Sequence, residues 1–149
     1  MNFIYKNFDL LSINELYSIL QFRTEVFVVE QNCIFQDMDN LDFEAIHLWG
    51  IENGEMLCYC RILKPGTTYQ KASIGRVISR KKIRGKNYGR KLMKEAIKVL
   101  YKNFGEDDIV ISAQQYLIKF YEEFGFKTVG NTYLDTGIQH IKMILPKQM

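Results

Sequence analysis

The chain has 149 residues, of which 47% are apolar and 25% are charged, and its formal net charge is +3. This length and composition predict one globular domain over residues 1–149 and exclude an intrinsically disordered chain. No apolar run approaches the ~20 residues that span a bilayer, and the N-terminus has no signal-peptide pattern, so we expect a cytoplasmic protein with no membrane partner.

The first third of the chain predicts a strand, a helix and an acidic loop. Residues 2–8 alternate loosely between apolar and polar side chains, as a strand does. Ser12 and Glu15 have the spacing of a capping box, which predicts a helix that continues to about Val28. Residues 30–44 then form an irregular loop that is rich in carboxylates.

A hairpin is predicted by two apolar runs, Ile46–Glu52 and Glu55–Leu63, which are separated by Asn53-Gly54. Both turn residues tolerate the positive φ that a tight hairpin turn requires. After a break at Lys64-Pro65-Gly66, the segment Ala72–Ser79 predicts a fourth strand.

Three cysteines occur, Cys33, Cys58 and Cys60, and no partner pair lies at zinc-like spacing. Cys58 and Cys60 are two residues apart in a predicted strand, so both side chains face the same side of the sheet. We expect free, buried thiols in a reducing compartment and no metal site.

The second half of the chain alternates between helices and strands. Helices are predicted over about Asn87–Asn103 and Leu117–Phe124. The β-branched run Asp108–Ala113 is typical of a buried strand, and Phe126–Leu134 and Ile138–Leu145 are the two final strands. The order β-α-β-β-β-α-β-α-β-β predicts an α/β fold (an α+β mixed sheet) with one parallel pair joined by a right-handed crossover.

The turn Arg84–Gly89, with the sequence RGKNYG, connects the fourth strand to the long helix. A helix N-terminus offers unpaired amides and a partial positive charge, which favour a bound anion. Arg84, Lys86 and Arg90 add full positive charges, and Gly85 permits close approach of the backbone. The turn therefore predicts a phosphate site, although plain solvated turns share this composition, and it is neither a Walker loop nor a dinucleotide fingerprint.

A nucleic-acid-binding module is an alternative interpretation of the same basic segment. Cations are frequent between Arg80 and Lys91, as they are in proteins that bind a phosphate backbone. Only Tyr88 interleaves with them as an aromatic residue, so we expect no nucleic-acid partner.

Two motifs resemble those of the GNAT acetyltransferase superfamily. Gly75–Ser79 followed by Arg84–Gly89 is similar to its acetyl-CoA motif, which is roughly R/Q-x-x-G-x-G/A after a strand. Both ends of that motif match, whereas Asn87 replaces its first glycine; asparagine tolerates the left-handed backbone better than most residues. Phe120–Phe126, with the sequence FYEEFGF, resembles the F-Y-x-x-x-G-F motif of the same superfamily.

Several further segments are similar to the ElaA branch of that superfamily. They are Phe27–Gln31, Phe35–Asp39, His47, Ala113–Gln114 and Ile138–Ile141. Together with the order of elements, the resemblance covers most of the chain and implies the GNAT acyl-CoA N-acyltransferase fold.

The resemblance implies acetyl-CoA as the cosubstrate and no metal ion. It implies that the fourth strand splays from the fifth, so that pantetheine pairs with the open edge while the basic turn binds the pyrophosphate. The expected cofactor-binding residues are Val77, Ile78, Ser79, Arg84, Gly85, Lys86, Asn87, Tyr88, Gly89, Arg90 and Gln114.

The implied reaction is direct attack of a primary amine on the acetyl thioester in a ternary complex. Tyr121 is the expected acid that protonates the leaving thiolate. The candidates for the base are Glu30, Asp37, Asp39, His47 and His140, or a relay through water alone. We expect Glu30, because its place at the end of an apolar run reduces its hydration.

The acceptor is expected to be a small-molecule or peptide amine that the acidic loop receives. The expected substrate-binding residues are Asp37, Asp39, His47, Arg61 and His140. Arg23 and Arg61 stand in apolar runs, so we expect at least one of them to pair with the acidic group. A solvated loop and two structural histidines are the alternatives.

The identity of the amine, the acyl chain length and the oligomeric state stay open at this stage. A longer acyl thioester as donor, or a coenzyme A sensor without turnover, is compatible with the same motifs. An exposed final strand can pair between chains, so a monomer and a homodimer are the two alternatives for the oligomeric state.

Overall fold

Seven strands form one mixed sheet in the computed structural model, which describes residues 1–148. The strands are β1 (Asn2–Asn7), β2 (Ile46–Glu52), β3 (Glu55–Leu63), β4 (Ala72–Ser79), β5 (Ile109–Gln114), β6 (Lys127–Asp135) and β7 (Ile138–Leu145). The α-helices are α1 (Ile13–Arg23), α2 (Tyr88–Phe104) and α3 (Ile118–Glu122). This order confirms the predicted fold class.

The sheet order is β1-β2-β3-β4-β5-β7-β6, and the pairing is parallel between β4 and β5 but antiparallel elsewhere. Within the described residues, β4 and β5 share two pairs, Ala72 with Ile109 and Ser73 with Val110. The two strands then diverge, as the resemblance implied. Beyond Ser73, the edge of β4 that faces β5 therefore has backbone groups outside the ladder.

Side chains pack on both faces of the sheet. Leu92, Met93 and Ala96 of α2 are fully buried in one cluster, which also contains Cys58 and Cys60. Ile19 and Phe22 of α1 lie in a second cluster with Trp49 and Tyr59 on the opposite face. Neighbouring residues of β3 divide between the two clusters, because strand side chains alternate in direction.

The predicted cysteine environment is confirmed for the two residues of β3. Cys58 and Cys60 are buried and free, whereas the free Cys33 is half-buried. Burial raises the pKa of the Cys58 thiol to about 11. Neither β3 thiol is therefore poised as a nucleophile.

The predicted local signals are found at the hairpin and at the start of α1. Asn53 and Gly54 have φ of 51° and 77°. The Ser12 hydroxyl accepts from the Glu15 amide (3.0 Å), and the Glu15 carboxylate accepts from the Ser12 amide (2.8 Å).

The end of the first helix differs from the prediction. The α-helix stops at Arg23, and a wider π-helical segment continues over Thr24–Glu30. Val26, Val28 and Val29 are β-branched residues, which lose side-chain freedom in an α-helix, and this lowers the cost of leaving it. Among all the helices within residues 1–148, none is both long and apolar enough to cross a bilayer.

Candidate active site

A cleft of about 940 Å³ lies where β4 and β5 diverge. Residues of β4, the basic turn Arg84–Arg90, α3 and the β6–β7 hairpin line it. Its volume is within the range of roughly 300–1,000 Å³ that small-ligand sites occupy. Gly75 and Gly85 line the cleft, and a Cβ at either position would meet no other atom within 4 Å. The backbone of β4 and of the turn therefore has open space beside it.

A β-bulge interrupts β4 at the cleft. Tyr59 pairs with Ile78 and Arg61 pairs with Gly75, so Arg76 and Val77 together lie opposite Cys60. Arg76 has φ of 51°, in the left-handed region that a residue with a side chain rarely adopts. Bulges bend a strand and redirect its backbone groups, often beside active sites. The sequence gives no signal for this one, because arginine has no preference for that conformation.

Three arginines and three aspartates form a closed ring of ion pairs beside the bulge. Its members are Arg23, Arg61, Arg76, Asp37, Asp39 and Asp42. Arg23 donates to Asp37 (2.8 Å) and Asp42 (2.6 Å). Arg76 donates to Asp37 (2.8 Å) and Asp39 (3.4 Å). Arg61 closes the ring by donating to Asp39 (2.8 Å) and Asp42 (3.0 Å).

The ring confirms the expectation that a buried arginine pairs with the acidic loop, and these ion pairs argue against the expected role of the loop in receiving a cationic amine. Burial alone would raise the pKa of Asp39, yet the hydrogen bonds and charge of Arg61 outweigh it and lower that pKa to about 2. Asp37 is only 5% exposed and has an arginine on each carboxylate oxygen. The three arginines of the ring therefore neutralise its three aspartates, so that Asp39 and Arg61 line the cleft as paired charges.

His47 is also not placed to meet a substrate. It is fully buried, with Nε2 3.0 Å from the carbonyl oxygen of Asp42 and Nδ1 2.7 Å from the hydroxyl of Tyr59. Since a carbonyl oxygen only accepts, Nε2 carries the hydrogen and Nδ1 accepts from Tyr59. Burial lowers the pKa of His47. The residue acts as a structural link, which is the alternative that the sequence had left open.

The basic turn has the shape expected for an anion site. Asn87 has φ of 70° and precedes the first residue of the 17-residue helix α2. Arg84 donates to Glu30 (2.8 Å), and Arg90 donates to Glu123 (2.6 Å), both through exposed guanidinium groups. Exposed pairs of this kind contribute little to stability. A bound anion can therefore replace the carboxylates at small cost.

The expected cofactor-binding residues do not all reach the cleft. Arg84, Gly85, Asn87, Gly89 and Arg90 of the turn line it, as do Val77, Ile78, Ser79 and Gln114. Lys86 and Tyr88 are not part of the lining. The hydroxyl of Tyr88 instead donates to Glu52 at 2.9 Å, towards the β2–β3 hairpin. The Tyr88 hydroxyl is therefore engaged outside the cleft, which leaves the backbone amide of this first residue of α2 as its candidate contact to a ligand.

Glu30 lies at the rim of the cleft, where the π-helical segment ends. One of its carboxylate oxygens accepts from Arg84. This contact ties Glu30 to the basic turn rather than to the far end of the cleft.

Tyr121 lies in the wall of the cleft although it is only 6% exposed. Its ring packs edge-on against Phe120 and Phe126, with centroid distances of 5.2 and 6.0 Å. Burial raises the pKa of its phenol well above the ordinary value. Tyr121 is thus a packing residue in the cleft wall whose phenol stays protonated.

A further group of side chains lines the end of the cleft formed by β5, β6 and β7. It includes His140, Ser112, Tyr133, Asp135, Tyr69 and Tyr116. His140 stacks on Tyr133 at 6.1 Å with 23° between the ring planes, and the Tyr133 hydroxyl is hydrogen-bonded to Ser112. The sequence analysis identified only His140 in this group, because the others carry no motif and meet only through strand pairing.

The chemistry that this arrangement permits is acid–base and electrostatic. The cleft combines a cationic helix N-terminus, an irregular strand edge, a protonated phenol and an imidazole. Among residues 1–148, no three His, Cys, Asp or Glu side chains are placed to hold a metal ion.

Comparison with known families identifies one match over most of the chain. A family model described as an acetyltransferase (GNAT) domain matches residues 21–147. A UPF0039 protein from Synechocystis is 42% identical over 145 residues, which cover 97% of this chain and 94% of that protein. Protein ElaA from Escherichia coli is 39% identical over 135 residues, which cover 89% of this chain and 88% of ElaA.

Two solved structures agree with these matches. The crystal structure of an acyl-CoA N-acyltransferase from Pseudomonas aeruginosa has a TM-score of 0.91 at 37% identity and covers 96% of this chain and 97% of its own. That of Escherichia coli ElaA has a TM-score of 0.89 at 36% identity, with 97% and 99% covered. Other proteins with this fold bind coenzyme A or an acyl-CoA.

Proposed function

We propose that this chain, which belongs to the GNAT acetyltransferase family and to its ElaA-like branch, transfers an acetyl group from acetyl-CoA to a primary amine. The observation that carries the proposal is the open edge of β4, which leads to a cationic helix N-terminus and shares its cleft with Tyr121. The open edge of β4 suits the pantetheine arm, the cationic helix N-terminus suits the pyrophosphate, and Tyr121 suits the thioester. The acceptor is a small-molecule or peptide amine.

The basic turn would bind the phosphates. Amides at the N-terminus of α2 point towards the anion, and Arg84 and Arg90 exchange their carboxylate partners for phosphate oxygens. The free edge of Val77–Ser79 would bind the pantetheine amides as an added strand. The open space beside Gly75 and Gly85 fits this placement, since side chains there would occupy it.

Acetyl-CoA supplies an activated thioester to an amine that attacks directly in a ternary complex. An amide at the β4 bulge would donate to the carbonyl oxygen as that atom gains negative charge, a contribution of roughly 3–4 kcal/mol to lowering the barrier. Tyr121 would give its proton to the departing sulfur. Burial raises the pKa of that phenol, so the thiolate is the weaker base, and the transfer depends on the hydroxyl being held close to the sulfur.

A thiol-release assay against a panel of amines, run with and without enzyme, tests the proposal. We expect acetyl-CoA to raise the thermal unfolding temperature and at least one amine to release coenzyme A. The acetylated amine should be detected by mass spectrometry in equal amount. Thermal stabilisation without thiol release from any amine would contradict turnover and favour a coenzyme A sensor.

The acyl chain length is tested by repeating the assay with longer acyl donors. The proposal predicts the highest kcat/KM for acetyl-CoA. A higher kcat/KM for a longer acyl-CoA would retain acyl transfer but reject the acetyl assignment.

A further inference from the structure

We propose that His140 is the general base that removes a proton from the acceptor ammonium, a role that rests on the proposed acetyl transfer. His140 lies on β7, is 8% exposed and lines the same cleft as Tyr121. It is one of two histidines in the chain, and the other, His47, has both ring nitrogens engaged in the core.

The hydrogen bond of His140 determines which of its nitrogens is free. Nδ1 lies 2.7 Å from the carbonyl oxygen of Ile138, and a carbonyl oxygen can only accept. Nδ1 therefore carries the hydrogen, and in the neutral imidazole Nε2 holds the lone pair. This is the arrangement of a general base whose orientation is set by a backbone acceptor.

The surroundings hold the imidazole in that orientation. His140 is paired in register with Tyr133 of β6 and stacks on its ring, while the Tyr133 hydroxyl is bonded to Ser112 of β5. Three strands thus fix the ring. A fixed ring keeps Nε2 in one position relative to the cleft, as a base that acts on a bound amine requires.

The carboxylates that the sequence offered as bases are occupied elsewhere. Asp37 and Asp39 belong to the ion-pair ring. Glu30 lies beside Arg84 of the basic turn, where we place the phosphates, and not in the group of side chains around His140. We therefore assign the role of general base to His140 instead of Glu30, the residue expected from the sequence.

Nε2 of His140 takes a proton from the ammonium, and the amine lone pair that this frees forms the new C–N bond. The C–S bond breaks, its electron pair leaves with sulfur, and Tyr121 protonates the thiolate. The nitrogen of the new amide returns a proton to the Tyr121 oxygen, and His140 releases its proton to water. The net products are the amide, the free thiol of coenzyme A and one proton.

The first test is nitrogen NMR on protein labelled with ¹⁵N-histidine, because it needs no turnover. We expect His140 in the Nδ1–H tautomer and His47, the internal control, in the Nε2–H tautomer. An Nε2–H tautomer at His140 would overturn the base assignment while leaving the proposed acetyl transfer intact.

The second test compares His140→Gln with the wild type on two amines of similar shape. Benzylamine is charged at neutral pH and needs a base, whereas O-benzylhydroxylamine is already neutral. We expect kcat to fall at least ~100-fold with benzylamine but less than ~3-fold with O-benzylhydroxylamine, and added imidazole to restore part of the first activity. Thermal stabilisation by acetyl-CoA should be unchanged, which shows that the variant folds.

Equal losses on the two amines would mean that His140 has only a structural role, and would overturn the assignment. A wild type that releases no thiol from these or any other amines would overturn the base together with the proposed function. The tautomer measurement and the two-amine comparison therefore separate failure of the base from failure of acetyl transfer.

Discussion

Arginines and carboxylates meet in two regions beside the cleft, and the two regions differ in burial. In the ion-pair ring, Arg23 and Asp37 are almost fully buried, and each charge is matched by neighbours in a closed circuit. In the basic turn, the Arg84 side chain is 41% exposed, with Glu30 as its carboxylate partner and the carbonyl oxygen of Ser79 as its other acceptor. The same types of charged residue thus have different roles. A closed, buried circuit of ion pairs fixes the backbone, whereas an exposed arginine with one carboxylate partner is available to an anionic ligand.

The largest expected effect comes from opening the ring. Arg23→Ala leaves Asp37 and Asp42 buried with lost partners, so we expect the free energy of unfolding to fall by about 3–5 kcal/mol. Chemical denaturation measures the loss. Arg90→Ala in the turn is the matched control and should leave stability nearly unchanged, because its side chain and that of Glu123 are exposed. Similar losses in the two variants would contradict the comparison.

Tyr121 is about as buried as Asp37, but unlike Asp37 it lines the cleft. Tyr121→Phe keeps the ring packing and removes the proton donor. We expect kcat to fall at least tenfold, or about 1.4 kcal/mol, with nearly unchanged acetyl-CoA affinity. Steady-state kinetics and a binding titration measure the two quantities. Unchanged kcat would remove the acid role and leave Tyr121 as a packing residue.

A smaller effect is expected from the exposed turn. Arg84→Ala removes a cation that we assign to phosphate, so acetyl-CoA affinity should weaken about five- to tenfold, and less at high salt. Lys98→Ala, an exposed cation further along α2, serves as the control for net charge. Equal weakening in the two variants would indicate general charge attraction rather than a phosphate contact.

The last expected effect depends on pH. The pKa of Asp39 is lowered to about 2 in the folded protein, against ~3.9 for an unperturbed aspartate. Its ionised form therefore stabilises the fold above pH ~4, and that contribution is lost as the pH falls through about 2. Asp39→Asn should be less stable than the wild type at neutral pH, and the difference should shrink in acid. A difference that grows in acid would contradict the assigned direction.

The fold was largely predictable from local signals. The capping box at Ser12, the turn at Asn53-Gly54 and the β-branched run before Gln114 each depend on residues that are neighbours in the sequence. These signals suffice for the order of strands and helices, and the resemblance supplies the splayed pair.

The site was predictable only where its residues lie in one segment. The turn Arg84–Gly89 and Tyr121 carry motifs, whereas the ring joins α1, the acidic loop, β3 and β4 across the fold. The sequence predicted that Arg23 or Arg61 pairs with the acidic group, but not that both do so or that Arg76 joins them, because these partners are far apart in the sequence. The bulge at Arg76 was missed for the same reason, since it is defined by the pairing of β3 with β4.

Hydrogen exchange with and without acetyl-CoA tests most directly the central claim that the splayed edge of β4 and the basic turn bind the donor. We predict that acetyl-CoA slows amide exchange in Val77–Ser79 and in Arg84–Arg90, with little change in the edge strand β6. Slower exchange in β6, with none in β4 or the turn, would contradict the account.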